Sequence, residues 1–132
     1  MFKYLKPIAP FLFIIILLGG CGLISHKTIK VDANYDGRVL TMRSGDKLQI
    51  ALIGNPTTGY MWEVAPGSTS IMRLEGECSF SSATKALGSG GNLIFLFEAK
   101  DQGKGTVKLI YHRPWEKGIP PIKTFTVNVA VK

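Results

Sequence analysis

The chain has 132 residues, 45% of them hydrophobic and 19% charged, with a formal net charge of +7. That length bounds a single domain with enough chain to bury a core without disulfides. The basic excess carries no stripe interleaved with aromatics, which argues against nucleic acid as a partner, and two cysteines and two histidines show no spacing for a triad or a zinc site.

In chain order, Lys3 and Lys6 open with positive charge, Ile8 to Leu18 (IAPFLFIIILL) is an apolar run with one proline, and Gly19-Gly20-Cys21 follows. Basic, then apolar, then small is the layout of a secretory signal. An uncleaved anchor is the alternative, but a spanning helix needs about 20 apolar residues. Leu18-Gly19-Gly20-Cys21 also resembles the bacterial lipobox, in which the cysteine is acylated, as with palmitate, and becomes the mature N-terminus. The resemblance implies an exported protein, anchored through lipid on Cys21 to the bacterial cell envelope, at the outer membrane or cell surface. Losing residues 1–20 leaves 112 of the 132 and removes two of 16 basic residues and none of the 9 acidic, so the mature charge is +5. A mildly basic balance favours acidic partner surfaces or anionic lipid head groups. Lys27, Lys47, Lys85, Lys100, Lys104, Lys108 and Lys123 are spread along the sequence, however, and read as an ordinary solvated surface. With Cys21 acylated, Cys78 has no partner; in an apolar-alternating stretch it reads as a buried, inert thiol.

Residues 21–27 read as the lipidated N-terminus and a short tether, and 28–132 as the folded domain. Beyond the tether the apolar pattern has period two: Leu48, Ile50, Leu52; Val107, Leu109, Tyr111; Phe125, Val127, Val129, Val131. Strands are predicted at 28–34, 37–43, 47–54, 60–65, 70–79, 92–100, 105–112 and 122–131. Asn92 to Ala99 (NLIFLFEA) is apolar on both faces, and no window carries helical spacing with caps. The fold class is therefore all-β, an immunoglobulin-like sandwich of two antiparallel sheets with about eight strands.

Three connections are longer or richer than a turn: 55–59 (NPTTG), 80–91 (FSSATKALGSGG) and 113–121 (RPWEKGIPP). Those at 66–69 and 101–104 are plain polar turns. Rich and plain alternate, so strands running up and down put all three rich loops at one pole. In the first, Pro56 fixes its own φ and biases Asn55 to an extended shape, Thr57 and Thr58 are stiff, and Gly59 permits a left-handed return. In the third, Arg113 and Trp115 flank Pro114 and are types enriched at binding hot spots, with Glu116 and Lys117 as a charged rim. In the middle, Gly88-Ser89-Gly90-Gly91 lets backbones approach closely. Each also has a structural use: a corner whose threonines satisfy backbone groups, a core plug (the expected role of Trp62), or a linker.

NPTTG before an aromatic, then GSGG, then RPW, in this order and on β spacing, resemble the three signature motifs of chagasin-type inhibitors of papain-family cysteine peptidases, over about residues 28–132. The resemblance implies a monomeric, non-enzymatic inhibitor without cofactor or metal, whose three loops wedge into the peptidase cleft. By motif, Asn55, Pro56, Thr57, Thr58 and Gly59 sit over the catalytic cysteine with Thr57 nearest the centre. Gly88, Ser89, Gly90 and Gly91 run along the substrate groove, with Ala86 and Leu87 as neighbours and Leu87 as an apolar anchor. Arg113, Pro114 and Trp115 cover the primed side. The alternative is a surface lipoprotein that binds carbohydrate or another protein through the same loops, with Trp115 and Tyr111 as a stacking platform.

Overall fold

The computed structural model describes residues 22–82 and 84–132; residues 1–21, where the signal segment and the lipidated Cys21 are expected, lie outside the described residues. Among the described residues nine strands form two sheets: β1 (Thr28–Val31), β2 (Val39–Met42), β3 (Lys47–Gly54), β4 (Met61–Val64), β5 (Met72–Leu74), β6 (Ser79–Ser82), β7 (Gly91–Ala99), β8 (Gly103–His112) and β9 (Lys123–Val131). One sheet runs β1-β3-β7-β5, with β6 also paired to β7; the other runs β2-β9-β8-β4. The period-two pattern explains the layering, because alternate side chains face opposite sides of a strand. Leu48, Ile50 and Leu52 of β3, Leu93, Phe95 and Phe97 of β7, Val107 and Leu109 of β8, and Phe125, Val127 and Val129 of β9 meet in one core. Each such side chain contributes about 1.5–3 kcal/mol on full burial.

The structure departs from the sequence expectations in several places. The strand expected over 70–79 is two strands. Leu74 pairs with Phe97 and Ser79 with Ile94, so the four residues 75–78 span a stretch of β7 where two would suffice. Gly76 at φ 67° makes this bulge, a backbone state that glycine adopts without a Cβ penalty. The middle connection shortens accordingly, since Ser79–Ser82 are strand. The sheets are mixed, because β1 pairs with β3 and β2 with β9 in parallel. In β7 only the inward face is buried, while Ile94 and Leu96 on the other face are half-covered. Cys78 lies in the bulge and is half-buried; burial pushes its thiol pKa up, and Glu77 adds to the shift.

Strand ends fix the two poles. β3 and β7 run antiparallel and finish level at Gly54 and Gly91, with Ser82 of β6 opposite Gly91. In the other sheet Met61 pairs with His112 and Tyr111 with Lys123. All three rich connections therefore leave from one pole, as alternation along the chain predicts. The turns 43–46 and 100–102 lie at the other pole, where Lys27 also leads into β1. Contrary to the expectation of scattered lysines, Lys27, Lys47, Lys100 and Lys104 gather there with Arg43.

Candidate functional site

At the end of β3 the chain turns through Asn55, which is extended at φ −133°, ψ 96°, as a residue before proline should be. Pro56–Thr58 then make a single 3-10 turn, and Gly59 at φ 81° returns the chain toward β4. The Asn55 Oδ1 accepts from the Thr57 N–H at 3.1 Å and the Thr57 hydroxyl at 2.6 Å. The Thr58 hydroxyl donates to the Asn55 carbonyl oxygen at 2.7 Å. Both threonine hydroxyl protons are thus committed inside the turn, whose structural use and rigidity come from the same bonds. Since the Thr57 N–H can only donate, Oδ1 must face it, which turns Nδ2 away.

That Nδ2 donates to the Gly88 carbonyl oxygen at 2.9 Å and ties the first loop to the second. Gly88 sits at φ 76°. Gly91 has no room for a Cβ, which would strike the Ser81 carbonyl oxygen and lie 2.8 Å from the Ser82 Cα; at Gly90 it would stand 3.3 Å from the Gly54 carbonyl oxygen. The close approach expected of these glycines is thus made within the protein itself, against β6 and the end of β3. Ser89 shares a 3.1 Å hydrogen bond with the Ser82 hydroxyl. Leu87 is fully exposed at the tip.

The third loop braces the first from the opposite side. Arg113 Nε donates to the Thr58 carbonyl oxygen at 3.3 Å, Nη1 reaches Glu116 Oε1 at 3.2 Å, and the guanidinium lies 4.4 Å from the Tyr60 ring centroid. Tyr60 leans on Tyr111 at 5.5 Å between centroids, and Tyr111 on Trp62 at 5.0 Å. The Tyr111 hydroxyl accepts from the Asn55 N–H at 3.2 Å. Trp62 is the expected core plug and satisfies its indole N–H on the Ile53 carbonyl oxygen at 3.1 Å. Trp115, by contrast, is 64% exposed, and one edge of its indole occupies the space a Cβ on Gly59 would need. Pro114 is half-buried beside it. Gly59 is therefore required twice, by its positive φ and by the tryptophan.

All three motifs meet at this pole, with NPTTG in the middle and clamped from both sides. Glu116, expected as rim charge, instead pins Arg113. Sequence reasoning missed Tyr60 as a brace and saw Tyr111 only as a stacking platform; the signal was their place immediately beside the motifs. Among the described residues no group of three or more His, Cys, Asp or Glu side chains is placed to hold a metal. His112 bonds Glu63 at 2.7 Å beneath the third loop.

A model of the chagasin family of peptidase inhibitors, I42, matches residues 41–129. The chain is 34% identical over 109 residues to chagasin of Trypanosoma cruzi, covering 79% of this chain and 96% of that one. It is 31% identical over 93 residues to amoebiasin-1 of Entamoeba histolytica, covering 70% and 89%. The crystal structure of the cysteine protease inhibitor EhICP2 from Entamoeba histolytica superposes with a TM-score of 0.71 at 26% identity, over 81% of this chain and 97% of that one. PbICP-C, solved in complex with falcipain-2, shares the fold with a TM-score of 0.54 at 20% identity, over 80% and 99%.

Proposed function

The chain belongs to the chagasin family of peptidase inhibitors and is a cysteine peptidase inhibitor, not an enzyme; we propose that it acts reversibly and competitively on papain-like peptidases by wedging its three loops into the active-site cleft. One observation carries this reading: three loops tied to one another at one pole, by Asn55 to Gly88 and by Arg113 to Thr58, leave Leu87 and Trp115 exposed at the flanks. Blocking a cleft needs a rigid convex edge with an aromatic anchor, and a surface ordered before contact loses little entropy on binding. The central turn, Asn55 to Gly59 with Thr57 foremost, is assigned to the catalytic cysteine. Its carbonyls at Asn55, Pro56 and Thr58 already accept bonds inside the protein, which holds the turn in one shape before it meets a partner. Leu87 to Gly91 are assigned to the substrate groove, and Arg113 to Trp115 to the primed side.

We infer further that Cys21 carries lipid, that residues 1–20 are removed, and that the monomeric domain is held on the bacterial cell envelope. The test has two arms. Residues 22–132 should inhibit papain competitively at nanomolar concentration, and no inhibition at micromolar concentration overturns the inhibitor reading. In the full chain, Cys21→Ala should release the protein from membranes; retention would mean an uncleaved anchor.

A further inference from the structure

We propose that the pole opposite the inhibitory loops is a docking surface for an anionic lipid bilayer, which stands the domain upright with its loops turned away from the membrane. Its orienting role rests on the lipid-anchor reading of Cys21. Two independent observations carry it. The first is where the chain enters the fold. Lys27 donates its backbone N–H to the buried Asp46 carboxylate at 3.1 Å and accepts from the Lys47 N–H at 2.8 Å, so the tether is clamped at this pole. Gly22 to Lys27, fully extended, reaches at most about 20 Å. A lipid on Cys21 would therefore hold this pole, and no other, against the head groups.

The second observation is charge. Lys27, Arg43, Lys100 and Lys104 are all exposed here and, among the described residues, none is in an ion pair. Lys47 and Arg73 are neutralised by Glu75 at 2.9 Å and Glu98 at 2.7 Å. The remaining acids are Asp101, on the same turn as Lys100, and Asp46, whose carboxylate is enclosed by backbone N–H groups. Lys132, held here by its backbone bonds to Met42 and Ser44, adds a fifth free cation and the chain's terminal carboxylate, so five free cations against three acids leave a net positive face. The ten residues of β8 run from this pole to the other, about 34 Å at the rise of a strand. The loops thus stand well beyond a Debye length of about 8–10 Å, and a peptidase can reach them without displacing the domain.

Among the described residues the core cluster lies between Val31 and Val131, so residues 22–132 carry that core and both sheets and serve without lipid. They should co-sediment with vesicles of phosphatidylcholine mixed with phosphatidylglycerol at low ionic strength, and not with pure phosphatidylcholine or at raised salt. Lys100→Glu with Lys104→Glu should weaken that binding at least about tenfold, since each basic residue near an anionic surface is worth roughly fivefold, while papain inhibition is unchanged. Reversing Lys85 and Lys117 at the loop pole should leave vesicle binding as it was. Domain bound to vesicles should inhibit papain as well as domain in solution. Absence of vesicle binding, equal sensitivity to the loop-pole reversals, or inhibition lost on the vesicle each overturns the proposal. The papain assay in free solution does not depend on these outcomes, and the Cys21→Ala fractionation, read after a high-salt wash that strips electrostatic binding, does not either, so failure of the docking surface is distinguishable from failure of the inhibitor or lipid readings.

Discussion

Trp115 leaves 64% of its surface in solvent while its ring edge seals the space over Gly59. A core tryptophan would hide its ring as Trp62 does, whereas the exposure of Trp115 is what the proposed peptidase-facing role requires. Trp115→Ala should weaken inhibition by about 2 kcal/mol or more, the range of a tryptophan hot spot, which is roughly 30-fold in the inhibition constant. The unfolding midpoint should barely move, because little of the ring is buried. The inhibition constant and a thermal melt of the same preparation check this, and unchanged affinity removes Trp115 from the interface. The sequence reading puts Trp62 in the core and Trp115, beside Arg113 and Pro114, among the binding residues, and the structure has Trp62 buried and Trp115 exposed. What it does not foresee is the surface on which Trp115 rests, given by the missing side chain of Gly59.

At the scale of elements, the strands were legible in the sequence because inward and outward positions alternate along β3, along β8 from Val107 and along β9 from Phe125. The common pole of the loops followed from alternating rich and plain connections. What escaped was wherever a tertiary contact overrides the local pattern: Gly76 breaking one expected strand into β5 and β6, and the two parallel edge pairings. The ties between loops escaped too, because Asn55 to Gly88 and Arg113 to Thr58 join residues 33 and 55 positions apart. Those ties give a separable prediction. Asn55→Asp keeps an acceptor for the Thr57 N–H but replaces the donor to Gly88 with a repelling oxygen; Asn55→Ala removes both. If the wedge depends on the loops being joined, Asp should lose most of the affinity that Ala loses, on the order of tenfold, through a less ordered second loop. Titration against papain, with hydrogen exchange over 84–90, tests it. An Asp variant that inhibits like wild type would mean the loops are ordered independently.

For the molecule as a whole, Asp46 joins what the fold would otherwise leave loose. At 2% exposure its carboxylate accepts from the Arg43 N–H at 2.9 Å and the Lys27 N–H at 3.1 Å, while its carbonyl oxygen accepts from the Ala99 N–H at 2.9 Å. One residue thus ties the start of β1, the β2–β3 turn and the end of β7 at the pole remote from the loops. Burial alone would push this carboxyl up. The Arg43 and Lys27 N–H groups outweigh burial, helped by the charges of Lys27 and His26, and hold it below its ordinary value, about 3.9. A carboxyl lowered on folding stabilises above its unfolded pKa, and that contribution fades as pH falls through the folded value. Asp46→Asn sets an amide N–H₂ against one of the two backbone donors and should destabilise by about 1–3 kcal/mol at neutral pH. Wild type and variant should converge as the pH drops below about 4, because protonation removes the advantage the mutation has already taken. Urea unfolding of both between neutral and strongly acidic pH measures this gap. A gap constant down to the lowest pH would mean that Asp46 stabilises by shape and not by charge. Papain inhibition at neutral pH should survive the substitution, because the loops and this clamp sit at opposite ends of a rigid body.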